Sequence, residues 1–194
     1  MKRFAKFITK LVFIFLYRVE LINAEKVPME GSTILCANHN GMLDMFFIGY
    51  RIKRWIYWMG KEELFRNPVA GFIFRKLGVF PVKRGKGDVG SIKTAVKLLQ
   101  EGKIIGMFPQ GTRAKEKSTS PLRIKSGAAM LAIKSGAKIL PVAVQGSHKP
   151  FSRISVIFGD VFSVNADIDK KYTNEELSEI SKDIMNRVYS LMEA

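Results

Sequence analysis

The chain has 194 residues, enough for one domain with a short appendage. With 47% hydrophobic and 25% charged residues it can bury a sizeable core, which excludes a disordered chain; one cysteine excludes a disulfide scaffold, and two histidines beside it argue against a structural zinc site. The formal charge of +15 calls for an anionic partner, and residues 1–150 carry it: the last 44 residues hold five basic and eight acidic side chains, leaving +18 on the rest.

The chain opens on a basic, aromatic-rich stretch. Its apolar run from Leu11 to Tyr17 is too short to span a bilayer, which takes about 20 apolar residues. Lys2, Lys6 and Lys10 recur every four residues along one helical face, and Phe4, Phe7, Ile8, Leu11 and Phe15 form another. That pattern predicts an amphipathic helix over residues 1–17 lying in the membrane interface, with lysines at anionic headgroups. A signal peptide fits less well, for want of a small-x-small cleavage site, and a helix packed on the core is the plain alternative.

From residue 18 onward, β-rich runs alternate with helical periods. Strands are expected at Thr33–Ala37, Trp55–Met59, Val79–Val82, Ile104–Phe108, Lys138–Val144 and Ile154–Phe158. Helices are expected at Met42–Tyr50, Pro68–Lys76, Val89–Gln100, Ile124–Lys134 and Thr173–Met192, with Asn67 capping the second and Gly102 stopping the third. The alternation predicts an α/β fold in one unit spanning residues 18–194.

Three strand ends carry chemistry. After Thr33–Ala37 comes Asn38-His39-Asn40-Gly41-Met42-Leu43-Asp44, where a carboxylate five residues on can reach one imidazole nitrogen, fix the tautomer and leave the other nitrogen to accept a proton. That is the base–orienter half of a triad with no serine nearby; the alternative is a satisfied loop histidine and a helix N-terminal acid. Phe108-Pro109-Gln110-Gly111-Thr112-Arg113, followed by Lys125, offers close backbone approach, a hydroxyl and a planar cation for a phosphate. Gly78 to Arg84 delivers Lys83 and Arg84 to a third strand end. Each cationic loop alone reads as a solvated surface, but open α/β sheets bind ligands beyond the carboxyl ends of their strands. Gly85-Lys86-Gly87-Asp88-Val89-Gly90 matches a dinucleotide fingerprint, yet the next strand leads into Pro109 and Gln110 rather than a ribose-binding acid, so Asp88 is read as a helix cap. Cys36 reads as a buried small hydrophobe, His148 as a surface-loop histidine, and at least one of Trp55, Tyr57 and Trp58 as core.

Four blocks in this order, Asn38-His39 with Asp44, Gly78 to Arg84, Phe108 to Arg113 and Leu140-Pro141-Val142, resemble the glycerolipid acyltransferase family from about Ala24 to Gly146. The resemblance implies a central mixed, largely parallel sheet flanked by helices. It implies His39 as general base on the 2-hydroxyl of a lysophospholipid, oriented by Asp44, with attack on the thioester of acyl-CoA or acyl-acyl-carrier protein. Arg84, Gly111, Thr112 and Arg113 would then hold the glycerol phosphate, assisted by Lys125, with no metal and no cofactor beyond the acyl donor. The implied partners are lysophosphatidic acid, the acyl donor and an anionic membrane at the cytoplasmic face of the cell, without nucleic acid. Two positions depart from the family pattern. Gln110 stands where glutamate is usual, keeping the shape while losing the charge and adding a donor, and Gly41 stands where serine is common. Rival readings are acylation of glycerol 3-phosphate or another lysolipid, a non-catalytic lipid binder marked by Gln110, and a nucleic-acid-binding protein, for which no motif is present.

Overall fold

The computed structural model describes residues 15–49, 51–83, 88–111 and 124–193. The interfacial helix expected over residues 1–17 lies almost wholly outside them.

In chain order the elements are β1 (Arg18–Ile22), β2 (Thr33–Ala37), α1 (Asp44–Gly49), β3 (Ile56–Lys61), α2 (Pro68–Lys76), β4 (Val79–Val82), α3 (Val89–Gln100), β5 (Ile104–Met107), α4 (Gly127–Ser135), β6 (Lys138–Gly146), β7 (Arg153–Phe158) and α5 (Asn174–Ser190). The strands form one sheet in the order β1-β7-β6-β2-β5-β3-β4. Every neighbouring pair is parallel except β6 with β7. The expected mixed, largely parallel architecture is therefore present.

β2 is buried along its whole length, because helices cover both faces of a parallel sheet and its Thr-Ile-Leu-Cys-Ala run is apolar on both. Leu35 and Ala37 face a layer that includes Phe47 and Ile48 of α1, with Phe74 of α2 packed at its margin. Ile34 and Cys36 face the opposite layer, built with Ala95 and Leu99 of α3, Leu131 of α4, and Ile184 and Val188 of α5. Capping residues set where these helices begin. The Asn67 side chain accepts from the N–H groups of Val69 and Ala70, and Asp88 accepts from Ser91. Thr173 and Glu176 close a reciprocal capping box at the start of α5.

Several element bounds shift by one to three residues, and two departures bear on the site. β1 was not foreseen: it is a five-residue edge strand whose partner, β7, lies more than 130 positions along the chain. α1 begins at Asp44 rather than Met42, because the Asp44 carboxylate accepts the backbone N–H groups of Asn40 and Gly41 and holds the intervening residues in a turn.

The sheet's layout marks where a ligand is expected. β2 and β5 are adjacent, yet the chain leaves β2 toward β3 on one side and leaves β5 toward β6 on the other. Ligands of open α/β sheets bind at such a reversal. Past the end of β2, the Asn38 amide takes over the ladder, donating to the carbonyl of Val144 at 2.9 Å and accepting from its N–H at 2.7 Å. Replacing Asn38 with alanine strands the buried Val144 N–H. The expected loss is about 1–3 kcal/mol of stability, read from the urea midpoint at constant slope. An unchanged midpoint would contradict this account of the β2–β6 junction.

Candidate active site

His39 is the second residue beyond β2. Its backbone N–H donates to Gln110 Oε1 at 2.6 Å, so the strand end carrying His39 is tied to the turn after β5. The imidazole stacks on Phe108, with ring centroids 4.1 Å apart, and Phe108 stacks in turn on the buried Trp58 at 5.2 Å. The ring is thereby fixed in plane and in position. Its side chain keeps 15% exposure, which leaves it reachable from solvent.

Asp44 has no exposed surface, and its charge is met from several directions. Oδ2 receives His39 Nδ1 at 2.9 Å and the N–H groups of Asn40 and Gly41, each at 2.8 Å. Oδ1 faces His148 Nε2 at 2.5 Å. Burial pushes the Asp44 carboxyl up, but hydrogen bonds from His39, the Gly41 backbone and His148, together with the His148 charge, outweigh it and hold the group below the usual aspartate value. Such a depressed carboxyl contributes stability that is present above the ordinary aspartate range and is lost as pH falls through its lowered native value. At neutral pH Asp44 is an acceptor only, so the nitrogen facing it carries a hydrogen. His39 therefore points Nδ1–H at Asp44, and in its neutral form the lone pair falls on Nε2.

Gln110 is buried, and both ends of its amide are hydrogen-bonded. Its oxygen serves His39, and its amide nitrogen donates to the Tyr189 hydroxyl of α5 at 2.9 Å. The donor that distinguishes glutamine from glutamate is thus used, on a residue of the helix that closes the chain.

The turn after β5 also brings Gly111 and Lys125 together. Gly111 has φ +68, and a Cβ there would lie 2.7 Å from Lys125 Cε, so only glycine allows the lysine stem to cross it. The Lys125 N–H is bonded to the Pro109 carbonyl at 2.9 Å. Lys83, at the end of β4, donates its backbone N–H to the capping Asp88. Arg84, Thr112 and Arg113 lie outside the described residues.

Two side readings hold, and one fails. Cys36 is sealed in β2, and burial alone pushes its thiol far above the usual range, which removes it as a nucleophile. Trp58 is the core member of the aromatic cluster, while Trp55 is half-buried and donates to the Leu77 carbonyl. His148, by contrast, is not a free surface-loop histidine. The chain reversal after β6 folds it against Asp44, a contact across 104 positions that no local pattern signals.

Residues 18–145 match the acyltransferase family. The chain is 32% identical over 179 residues to the 1-acyl-sn-glycerol-3-phosphate acyltransferase of Bacillus subtilis, a match spanning 89% of this chain and 87% of that one. It is 26% identical to the protein of the same name from Borreliella burgdorferi, over 88% of this chain and 68% of the other. The crystal structure of the 1-acyl-sn-glycerophosphate (LPA) acyltransferase from Thermotoga maritima superposes with a TM-score of 0.71 over 99% of this chain and 80% of that one, at 22% identity, and so shares the fold. On the family match and the Bacillus subtilis likeness together, the chain belongs to the acyltransferase family.

Proposed function

We propose that this acyltransferase moves a fatty acyl group from an acyl-CoA or acyl-acyl-carrier-protein thioester to the 2-hydroxyl of 1-acylglycerol 3-phosphate, forming phosphatidic acid. The observation that carries the reading is the Asp44 carboxylate on His39 Nδ1, which leaves Nε2 as a base at the open end of the sheet. In the reaction, Nε2 accepts the hydroxyl proton as the oxygen adds to the thioester carbonyl. The C–O bond forms, the tetrahedral centre collapses with cleavage of C–S, and the imidazolium returns its proton to the departing thiolate. Protons and electrons balance within acceptor, donor and His39, so the proposed route calls for no acyl-enzyme and no metal or cofactor. Asp44 stabilises the imidazolium while it exists.

Acceptor recognition is assigned to the cationic strand ends. Gly111 and Lys125 are adjacent at the end of β5, one residue beyond the Gln110 that binds His39. We assign Arg84, Thr112 and Arg113 to the same glycerol phosphate from their place in the sequence. The names of the Bacillus subtilis and Borreliella burgdorferi relatives support this choice of acceptor. Among the described residues no helix is long and apolar enough to cross a membrane. The amphipathic pattern of residues 1–17 supports peripheral attachment to an anionic cytoplasmic leaflet.

Three outcomes follow from these assignments. His39→Ala lowers turnover by about 10²–10⁴-fold on lysophosphatidic acid vesicles, the usual worth of a positioned base; wild-type turnover in that variant would refute base catalysis. Arg84→Ala and Arg113→Ala each weaken the phosphorylated acceptor by roughly 1.5–3 kcal/mol in kcat/KM and leave a neutral monoacylglycerol acceptor nearly unaffected. Equal losses on both acceptors would make the arginines structural. Deleting residues 1–17 moves the protein from the pellet to the supernatant when it is sedimented with anionic vesicles, and high salt weakens binding of the intact chain. Full sedimentation of the truncated form would contradict the anchor.

A further inference from the structure

We infer that His148 is a positioning residue of the catalytic pair, clamping the Asp44 carboxylate from the side opposite His39 so that Oδ2 stays committed to the base. The inference rests on the reading of His39 as base and adds a third residue to it.

The two rings divide the carboxylate between them. His39 Nδ1 lies 2.9 Å from Oδ2, and His148 Nε2 lies 2.5 Å from Oδ1. Since the ionised carboxylate only accepts, both facing nitrogens donate: His39 shares Oδ2 with the Asn40 and Gly41 backbone N–H groups, and His148 holds Oδ1. Without His148 every one of these bonds falls on one oxygen, and Oδ1 is left to swing about the terminal bond. Held from both sides, it has one orientation, and the His39 ring inherits that orientation through its Nδ1–H.

The molecule is built around the His148 ring. A Cβ on Gly41 would lie 2.3 Å from His148 Cδ2 and 2.6 Å from Nε2, so the ring occupies the volume of any side chain at position 41. Gly41 is not among the glycines with positive φ, so its backbone does not require glycine. The imidazole requires it. Gly41 and His148 are therefore one unit, and the glycine that departs from the family pattern is explained by the ring that replaces its side chain.

The loop bearing His148 is also anchored. The His148 ring packs on Phe47 of α1 at 5.5 Å between centroids, and its carbonyl accepts from the Tyr17 hydroxyl at 3.2 Å. The Tyr17 ring meets Phe47 edge-on at 5.0 Å. Phe151 and Ser152 hydrogen-bond to the backbone of Leu16 and Arg18. The ring is thus supported by α1 and by the stretch entering β1, as a positioning group needs to be.

The test is a variant set assayed on one preparation of vesicles containing lysophosphatidic acid, with acyl-CoA as donor. His148→Ala lowers kcat by about 10- to 100-fold, the worth of one charge-assisted hydrogen bond, with KM for both substrates little changed in a variant shown by circular dichroism to be folded at the assay temperature. His148→Gln, which keeps an N–H donor, recovers most of the loss. Gly41→Ser displaces the ring and loses kcat to a similar degree, but adding it to His148→Ala costs little more, because the clamp is already absent. Wild-type kcat in His148→Ala, failure of His148→Gln to exceed His148→Ala, or additive losses in the double variant would each overturn the inference. A readout independent of activity separates this from failure of the base assignment. Proton NMR of the wild type shows two downfield imidazole N–H signals, one lost in His39→Ala and the other in His148→Ala. A wild type lacking the His148 signal refutes the clamp, whereas two signals in a protein whose His39→Ala variant turns over normally refute only the base.

Discussion

One buried carboxylate organises this molecule. Asp44 has no exposed surface, and an unpaired charge in such a place would cost several kcal/mol. Four N–H groups meet it: two backbone groups from the turn after β2, the ring of His39 and the ring of His148. Satisfying that charge fixes the start of α1, brings the loop after β6 over the end of β2 and sets the tautomer of His39. Fold and chemistry meet in the same set of hydrogen bonds. The substitution that would leave Nε2 without its orienter would also leave the turn without its acceptor.

Around this centre the sheet supplies rigidity from both neighbours of β2. Asn38 binds the main chain of Val144 on the β6 side, and Gln110 binds the main chain of His39 on the β5 side. Gln110 in turn holds Tyr189, which links the turn after β5 to the last helix. The stack of His39, Phe108 and Trp58 runs from the reacting ring into the core. His39 therefore sits just beyond a packed strand, in a turn tied to both neighbouring strands, and little conformational freedom remains to be lost there.

Much of this was legible in the sequence where the signal was local. β2, β4, α2 and α3 begin and end where expected, because apolar runs, Asn67, Asp88 and Gly102 mark their limits within a few residues. The His39–Asp44 pair was legible for the same reason, being five positions apart. What was hidden depends on distant partners. β1 becomes a strand through β7, and His148 becomes part of the site only because the chain turns back after β6. Gly41 illustrates the limit well: its departure from the family pattern was visible, but its reason is a ring 107 positions away.

The basic surface and the buried acid have separate tasks. The proposed role of the cationic side chains after β4 and β5 is toward the phosphate, while Asp44 serves the turn after β2 and its two histidines. The most direct measurement of the central claim is therefore the rate of phosphatidic acid formation by Asp44→Asn on the vesicles used for the wild type. The amide keeps the shape but cannot stabilise an imidazolium and also offers a donor where only acceptors fit. The account predicts a loss of turnover of at least about 100-fold, with vesicle binding retained. Turnover equal to the wild type in a folded, membrane-bound Asp44→Asn variant would contradict it.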